Sequence, residues 1–198
     1  MEPKQESLIE NLLSKIPDIP KVKEDSKQPI TAFWRESEVK GYFSNWWRQP
    51  FHETEEGIPY QFQGDDGTLY VNGEQAMMRL KAVLFGDKKM ELKILLETDP
   101  RKMRELGRKI KNFSDDIWEQ YRERIMFAVT YWKYSQNKKL RKLLLKTNDS
   151  LMVEASPTDK IWGIGVAENS HAFKNRKWEG LNLLGLSLMR VREILNNN

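Results

Sequence analysis

Two groups of residues carry side chains suited to chemistry on a sugar or a nucleotide. The first is residues 151–165, read LMVEASPTDKIWGIG. A short apolar run, Leu151, Met152 and Val153, delivers Glu154 at its end. Pro157 forbids a helix, and Asp159 and Trp162 follow, three residues apart. Gly163 and Gly165 bracket Ile164 in backbone free to take positive φ or to approach a ligand closely. Carboxylates at the end of a buried strand, beside an indole and bare backbone, suit a site that holds a sugar or nucleotide. The same residues also fit a plain strand end and a capped loop with a core tryptophan.

The second group is Glu74 and Lys81. Seven residues separate them, so two helical turns place both on one face. Charges at that spacing are most often a solvated face. Glu74, however, stands in the first turn of its helix, directly after a hairpin, where it can point into a cleft instead.

These residues need a folded scaffold, and the composition supplies one. The chain has 198 residues, 39% hydrophobic and 31% charged, with seven tryptophans, which describes one globular domain with a real core. No apolar run approaches the roughly 20 residues of a membrane span, so no membrane partner is expected. The N-terminal residues show no signal-peptide or transit-peptide pattern. There is no cysteine, which excludes disulfides, thiol catalysis and thiolate metal sites and fits a cytoplasmic location. With only His52 and His171 available, a histidine-built zinc site or a Ser-His-Asp triad is not expected.

Residues 1–29 read as an N-terminal extension and linker. Leu8, Leu12 and Leu13 suit one amphipathic helix over 5–16, and Pro17, Pro20 and Pro29 follow among charges. The domain proper is expected over 30–198. Phe33-Trp34 and the aromatic run 43–47 around Gly41 suggest short extended segments. Residues 60–62 and 69–71 flank Gly64-Asp65-Asp66-Gly67 as a hairpin, in which the aspartates are better explained by turn chemistry than by metal. Asn72 offers an N-cap with Gln75 at the capping-box position, predicting a helix over 74–85 whose core face is Met77, Met78, Leu80, Leu84 and Phe85. Further helices are predicted over 88–97, 100–109 (Asp99 cap, Pro100 first), 114–135, 137–146 and 182–195. Residues 167–180 have loop composition. Lys133, near the end of the long helix, is electrostatically ordinary for its position.

Two basic concentrations interrupt this pattern. One holds Arg101, Lys102, Arg104, Arg108, Lys109 and Lys111; the other holds Lys133, Lys138, Lys139, Arg141, Lys142 and Lys146. Such runs are usually solvated helix faces, but they also suit phosphates. No glycine-rich phosphate loop of either standard pattern is present.

The order of motifs from Phe33 to Arg192 resembles the NADAR domain family, also called YbiA-like. The pieces are Phe43-Ser44-Asn45-Trp46; Gly73-Glu74-Gln75 with Lys81-Ala82; Leu106-Gly107-Arg108; Trp118 with Arg124-Ile125-Met126; and Lys133 with Gln136. Leu140, Leu143-Leu144 and Thr147 follow, then 151–155 with Asp159 and 162–165, and finally Asn182-Leu183-Leu184-Gly185 with Leu188-Met189 and Arg192. The resemblance implies a compact α+β domain, predominantly helical, with short strands. It implies an N-glycosidase acting on ADP-ribose-like or ribose-phosphate compounds. Some relatives hydrolyse riboflavin-pathway intermediates; others remove ADP-ribose from guanine in nucleic acid, as antitoxins to a DNA ADP-ribosyltransferase. This chain departs from the common pattern at Gly73, where Ser or Thr often stands, and at Trp46, where Phe often stands.

Carried over position by position, the resemblance implies catalytic roles for Glu74, Lys81, Glu154 and Asp159, and substrate contacts for Trp118 and Trp162. Asn45 and Arg108 are then candidates for phosphate, and Gly163 and Gly165 for close backbone approach. Breaking an N-glycosidic bond builds positive charge on the ribose C1 and negative charge on the departing nitrogen, so carboxylates suit both ends. A desolvated Lys81 offers a covalent route through a Schiff base. No cofactor or metal is needed for either. The expected partner is ADP-ribosylated guanine in DNA; the alternatives are a free ribose-phosphate small molecule, or a non-catalytic module that binds ADP-ribose or nucleic acid.

Overall fold

The computed structural model describes residues 10, 13, 18, 27–52 and 67–197. In chain order the elements are β1 (Ile30–Phe33), β2 (Phe51–His52), β3 (Leu69–Tyr70), α1 (Gly73–Leu84), α2 (Lys88–Leu96), α3 (Pro100–Gly107), α4 (Asp115–Gln136), α5 (Lys138–Leu145), β4 (Leu151–Glu154), α6 (His171–Lys174) and α7 (Leu183–Asn197). The chain is α+β and predominantly helical, and its packing divides it into two units. No helix among the described residues is long and apolar enough to cross a membrane.

The first unit holds β2, β3 and α1–α4. α1 starts where Asn72, in extended backbone, accepts the Gln75 N–H through Oδ1 at 2.9 Å, satisfying one of the helix's orphan amides. Gln75 does not close the reciprocal box. Its Oε1 reaches past the cap to the Val71 N–H at 2.9 Å. Its Nε2 donates to the carbonyls of Ile94, Leu95 and Glu97 at 3.1, 3.2 and 2.9 Å. One buried amide therefore joins the start of α1 to the end of α2. The expected core face of α1 is buried, and so are Glu74, Gln75, Ala76, Ala82 and Val83, because α2, α3 and α4 all pack against this helix.

Asp87 caps α2, and Asp99 caps α3 with Pro100 at its first position. On α4, Trp118, Ile125, Met126, Val129 and Trp132 are buried along an apolar stripe. β3 pairs antiparallel with β2, Phe51 opposite Tyr70. Gln136 serves the backbone of β2 as a strand would: the His52 N–H donates to its Oε1 at 2.9 Å, and its Nε2 donates to the His52 carbonyl at 2.8 Å. Among the described residues, His52 is the observed partner of Leu69. Residues 60–62, the Asp65-Asp66 pair, Pro17, Pro20 and most of the 5–16 helix lie outside the described residues. Leu13 is buried, and Glu10 pairs with Arg124 at 2.8 Å.

The second unit holds β1, α5, β4, α6 and α7. β1 and β4 run parallel, in register from Ile30 opposite Leu151 to Phe33 opposite Glu154. α7 packs against β4, and Leu184, Leu188, Val191 and Leu195 along it are all buried. Arg192 secures the entry to β4, donating through Nη1 to Thr147 Oγ1 at 2.7 Å and to the Ser150 carbonyl at 2.9 Å. Residues 43–47 form no strand. Gly41–Phe43 is a 3-10 turn, and Ser44 and Trp47 each donate to the carbonyl three residues back. The aromatic residues favour a strand, but the backbone here satisfies its amides locally. A short helix, α6, interrupts the loop expected over 167–180.

Candidate active site

In the first unit, Glu74 and Lys81 occupy the predicted helix, but neither lies on a solvated face. Glu74 is 4% exposed. Lys81 is half-buried; its Nζ donates to the Gly107 carbonyl at 3.2 Å and lies 4.0 Å from the Phe113 ring centre and 5.2 Å from that of Trp118. Burial pushes the Lys81 pKa below the ordinary lysine value. The Asp115 carboxylate opposes that shift, the Arg108 guanidinium reinforces it, and the Glu74 carboxylate opposes it. An amine cut off from water gives up its proton more readily than a solvated one.

The wall has its own support. Asp87 accepts the Met90 N–H through Oδ1 and the Lys111 N–H through Oδ2, each at 3.0 Å, so the residue that caps α2 also fixes the turn leading to Phe113. These bonds, the Lys111 one foremost, hold the Asp87 carboxyl below its ordinary pKa. Phe113 meets Phe85 edge to face, ring centres 5.1 Å apart. Trp118 is buried, so it serves the core and the lysine together. Arg108, at the C-cap of α3, is exposed.

Sequence reasoning missed Phe113 and misread Lys133. The Lys133 side chain is 2% exposed, its Nζ is 5.7 Å from the Tyr134 ring centre, and burial lowers its pKa to about 7. The signal was present: Lys133 follows Val129 by four residues and Met126 by seven, which puts it on the apolar stripe of α4.

In the second unit, Glu154 closes β4. Its N–H donates to Asn182 Oδ1 at 3.1 Å and its carbonyl accepts the Ile164 N–H at 2.9 Å, while Asn182 Nδ2 donates to the Met152 carbonyl at 2.9 Å. The Glu154 side chain is partly enclosed, with Oε2 buried. Asp159 stands differently. Its Oδ1 accepts the N–H groups of Ile161 and Trp162 at 3.0 and 2.9 Å, and its carbonyl accepts that of Gly165 at 3.1 Å. This carboxylate organises the loop that presents the half-buried Trp162. The two acids are therefore held differently, Glu154 through its backbone and Asp159 through its carboxylate as well.

The glycines serve the same loop. A Cβ on Gly163 would lie 2.7 Å from the Glu154 carbonyl oxygen and 3.0 Å from that of Asp159, and Gly165 takes φ +74°. Asn45 is 8% exposed, and its Nδ2 has no acceptor among the described residues. A buried amide donor left unfilled is costly and suits a substrate oxygen. Within each unit the candidates gather: Glu74, Lys81, Arg108 and Trp118 around one amine, and Glu154, Asp159, Trp162, Gly163 and Gly165 around one strand end.

A family model described as the NADAR domain matches residues 32–196. N-glycosidase R617 of Acanthamoeba polyphaga mimivirus is 41% identical over 152 residues, covering 76% of this chain and 85% of its own. Protein irg-1 of Caenorhabditis elegans is 42% identical over 125 residues, covering 62% of this chain and 59% of its own. The NMR structure of the Escherichia coli protein YbiA superposes with a TM-score of 0.66 at 26% identity, covering 92% of this chain and 94% of that one.

Proposed function

The chain belongs to the NADAR domain family and is an N-glycosidase, and we propose that the bond it cuts joins ADP-ribose to a guanine base in nucleic acid. The observation that carries this reading is the Lys81 amine, half-buried between Phe113 and Trp118 with its pKa lowered, on a helix whose first turn buries Glu74. The ribose ring opens as the C1–O4′ bond breaks and O4′ takes a proton, leaving C1 as a protonated imine of the base nitrogen. Neutral Lys81 adds to C1, forming a carbon–nitrogen bond as the imine π electrons pass to that nitrogen and the lysine loses its extra proton. The bond from C1 to the base nitrogen breaks, the base leaving with a proton supplied by an acid, for which Glu74 is the candidate. The resulting protonated imine takes up water, releasing ADP-ribose and restoring the amine. The second unit offers its own carboxylate, Glu154, and its own indole, Trp162; both enter the same assay as single substitutions.

The nucleic-acid context is supported by the segment that holds Lys81. Arg101, Lys102, Arg104, Arg108, Lys109 and Lys111 are all exposed around Gly107, the residue whose carbonyl accepts from the amine. A polyanion meeting that surface releases counterions, so turnover should weaken with salt.

The test is release of ADP-ribose from an oligonucleotide carrying ADP-ribosylated guanine, by wild type and Lys81→Ala, with borohydride present in a parallel reaction. Release by wild type alone, with a mass adduct on Lys81, is expected. Folded wild type that ignores the oligonucleotide but cleaves a free ribose-phosphate nucleotide overturns the nucleic-acid substrate. A Lys81→Ala variant with the wild-type rate overturns the covalent role.

A further inference from the structure

The eight residues of α5 include Lys138, Lys139, Arg141 and Lys142, and Lys146 follows at the C-cap. Leu140 and Leu144 bury one face of this helix. Along another, Lys138, Arg141, Lys142, Leu145, Lys146 and Asn148 line an open groove of about 420 Å³, with no carboxylate among them. Arg141 is fixed there by donating through Nη2 to the Leu195 carbonyl at 2.7 Å. Some cations elsewhere are matched: Lys160 by Glu179, Lys88 and Arg79 by Glu91, and Arg122 by Glu119. Among the described residues, Lys138, Lys142 and Lys146 have no ion pair.

Helix stability does not account for these charges. Cations near a helix C-terminus are favourable, which suits Lys142 and Lys146, but at the N-terminus they oppose the helix dipole. The first turn of α5 opens Lys138-Lys139 with no acidic residue, and the Asn137 side chain caps no amide. Positive charge is thus concentrated along the whole helix at some cost to the helix itself.

We propose that this groove binds the sugar-phosphate backbone of a nucleic-acid strand, an inference that rests on the nucleic-acid reading of the substrate. Lys138, Lys142 and Lys146 recur every four residues, about 6 Å apart along the axis and about 12 Å in all. One small anion leaves part of that row unanswered, whereas a polymer charged at every unit answers all of it. The aliphatic stems of the lysines, with Leu145, give the groove an apolar lining against which sugars pack. Contacts of this kind hold a strand without reading its sequence. The groove accordingly sets affinity and salt dependence for polymeric substrate.

The experiment is fluorescence anisotropy of a labelled, unmodified single-stranded oligonucleotide against the full chain over a salt series. Its arms are wild type, the groove variant K138Q/K142Q/K146Q and a control, K89Q/K93Q/K177Q, which removes as many exposed lysines elsewhere. The groove variant is expected to bind about tenfold more weakly at low salt, and its log–log salt slope to fall by about 2, at about 0.7 per phosphate contact on a single strand. The control keeps the wild-type slope. Equal losses in both variants, no loss in the groove variant, or no binding by wild type each overturn the groove. Failure of the substrate reading looks different: wild type binds the strand through the groove yet releases no ADP-ribose from a modified one.

Discussion

The Lys81 Nζ lies 4.0 Å from the centre of the Phe113 ring, and this contact ties the reactivity of a helix residue to a turn between two other helices. Two effects compete there. A ring face favours the charged ammonium, while exclusion of water favours the neutral amine. The lysine's pKa is lowered, so exclusion of water wins.

A catalyst that uses neutral Lys81 speeds up as pH rises through that residue's pKa, and the rise comes below the ordinary lysine range. Phe113→Ala admits water to the amine and moves the rise to higher pH, with kcat near neutrality down about tenfold per unit of upward shift. Profiles of kcat between about pH 6 and 10 check this. A rise that stays in place would show that Phe113 is not what dries the amine.

Glu74 acts on the same titration with the opposite sign. Its carboxylate raises the Lys81 pKa, so Glu74→Gln lowers it further and brings the rise in kcat to lower pH. If Glu74 also supplies the leaving-group proton, the plateau rate drops by about 10²-fold or more. Position and height of the profile therefore report separate roles. A plateau at the wild-type height would remove Glu74 from proton transfer.

Lys133 affects stability. The unfolded chain holds its proton up to about pH 10.4, while in the fold its pKa is about 7. Between those values the unfolded state binds more protons, so this group's contribution to stability rises with pH across that window. Below about pH 7 the penalty for a charged buried amine is fully present. Lys133→Met should therefore be more stable than wild type near pH 6, by an amount on the order of several kcal/mol, with the difference narrowing towards pH 10. Urea unfolding of both proteins at the two ends of that range tests it; a gap independent of pH would contradict the titration.

Asp87 links stability to the site. Asp87→Ala removes acceptors from Met90 and Lys111 at once and should cost about 1–2 kcal/mol by the usual measure of a lost cap. Because its folded pKa is lowered, the carboxylate's contribution is present above its unfolded pKa and is lost as pH falls through the folded value. Wild type should thus lose its advantage over Asp87→Ala only in strong acid, measurable as converging thermal midpoints. If the turn depends on this cap, kcat falls with stability; a variant that loses stability but keeps kcat would separate the two.

Local chemistry explains what the sequence made legible. Asn72 and Asp99 with Pro100 each announce an element through neighbours within a few residues, and each element formed where expected. The apolar run before Glu154 likewise became β4. What stayed hidden depends on residues far apart in the chain. Nothing near Ile30 says that it lies beside Leu151, and nothing near Gln136 says that its amide will serve His52. The same holds for the site. Glu74 and Lys81 were marked by spacing and by family resemblance, but Phe113 is an ordinary loop phenylalanine until the fold brings it to an amine. Asp159 was read as a catalyst's carboxylate; that its Oδ1 also accepts from Ile161 and Trp162 and shapes the loop became visible only in the fold.

Gln75 has a consequence for its neighbour. Its amino group faces three carbonyl oxygens, and those acceptors would repel a carboxylate in the same place. The pair Glu74-Gln75 therefore cannot be inverted, although the two side chains differ by little more than an oxygen for an amino group. One position demands a donor, and the other is left to hold charge. The boundary between architecture and reactivity in this helix runs between two consecutive residues.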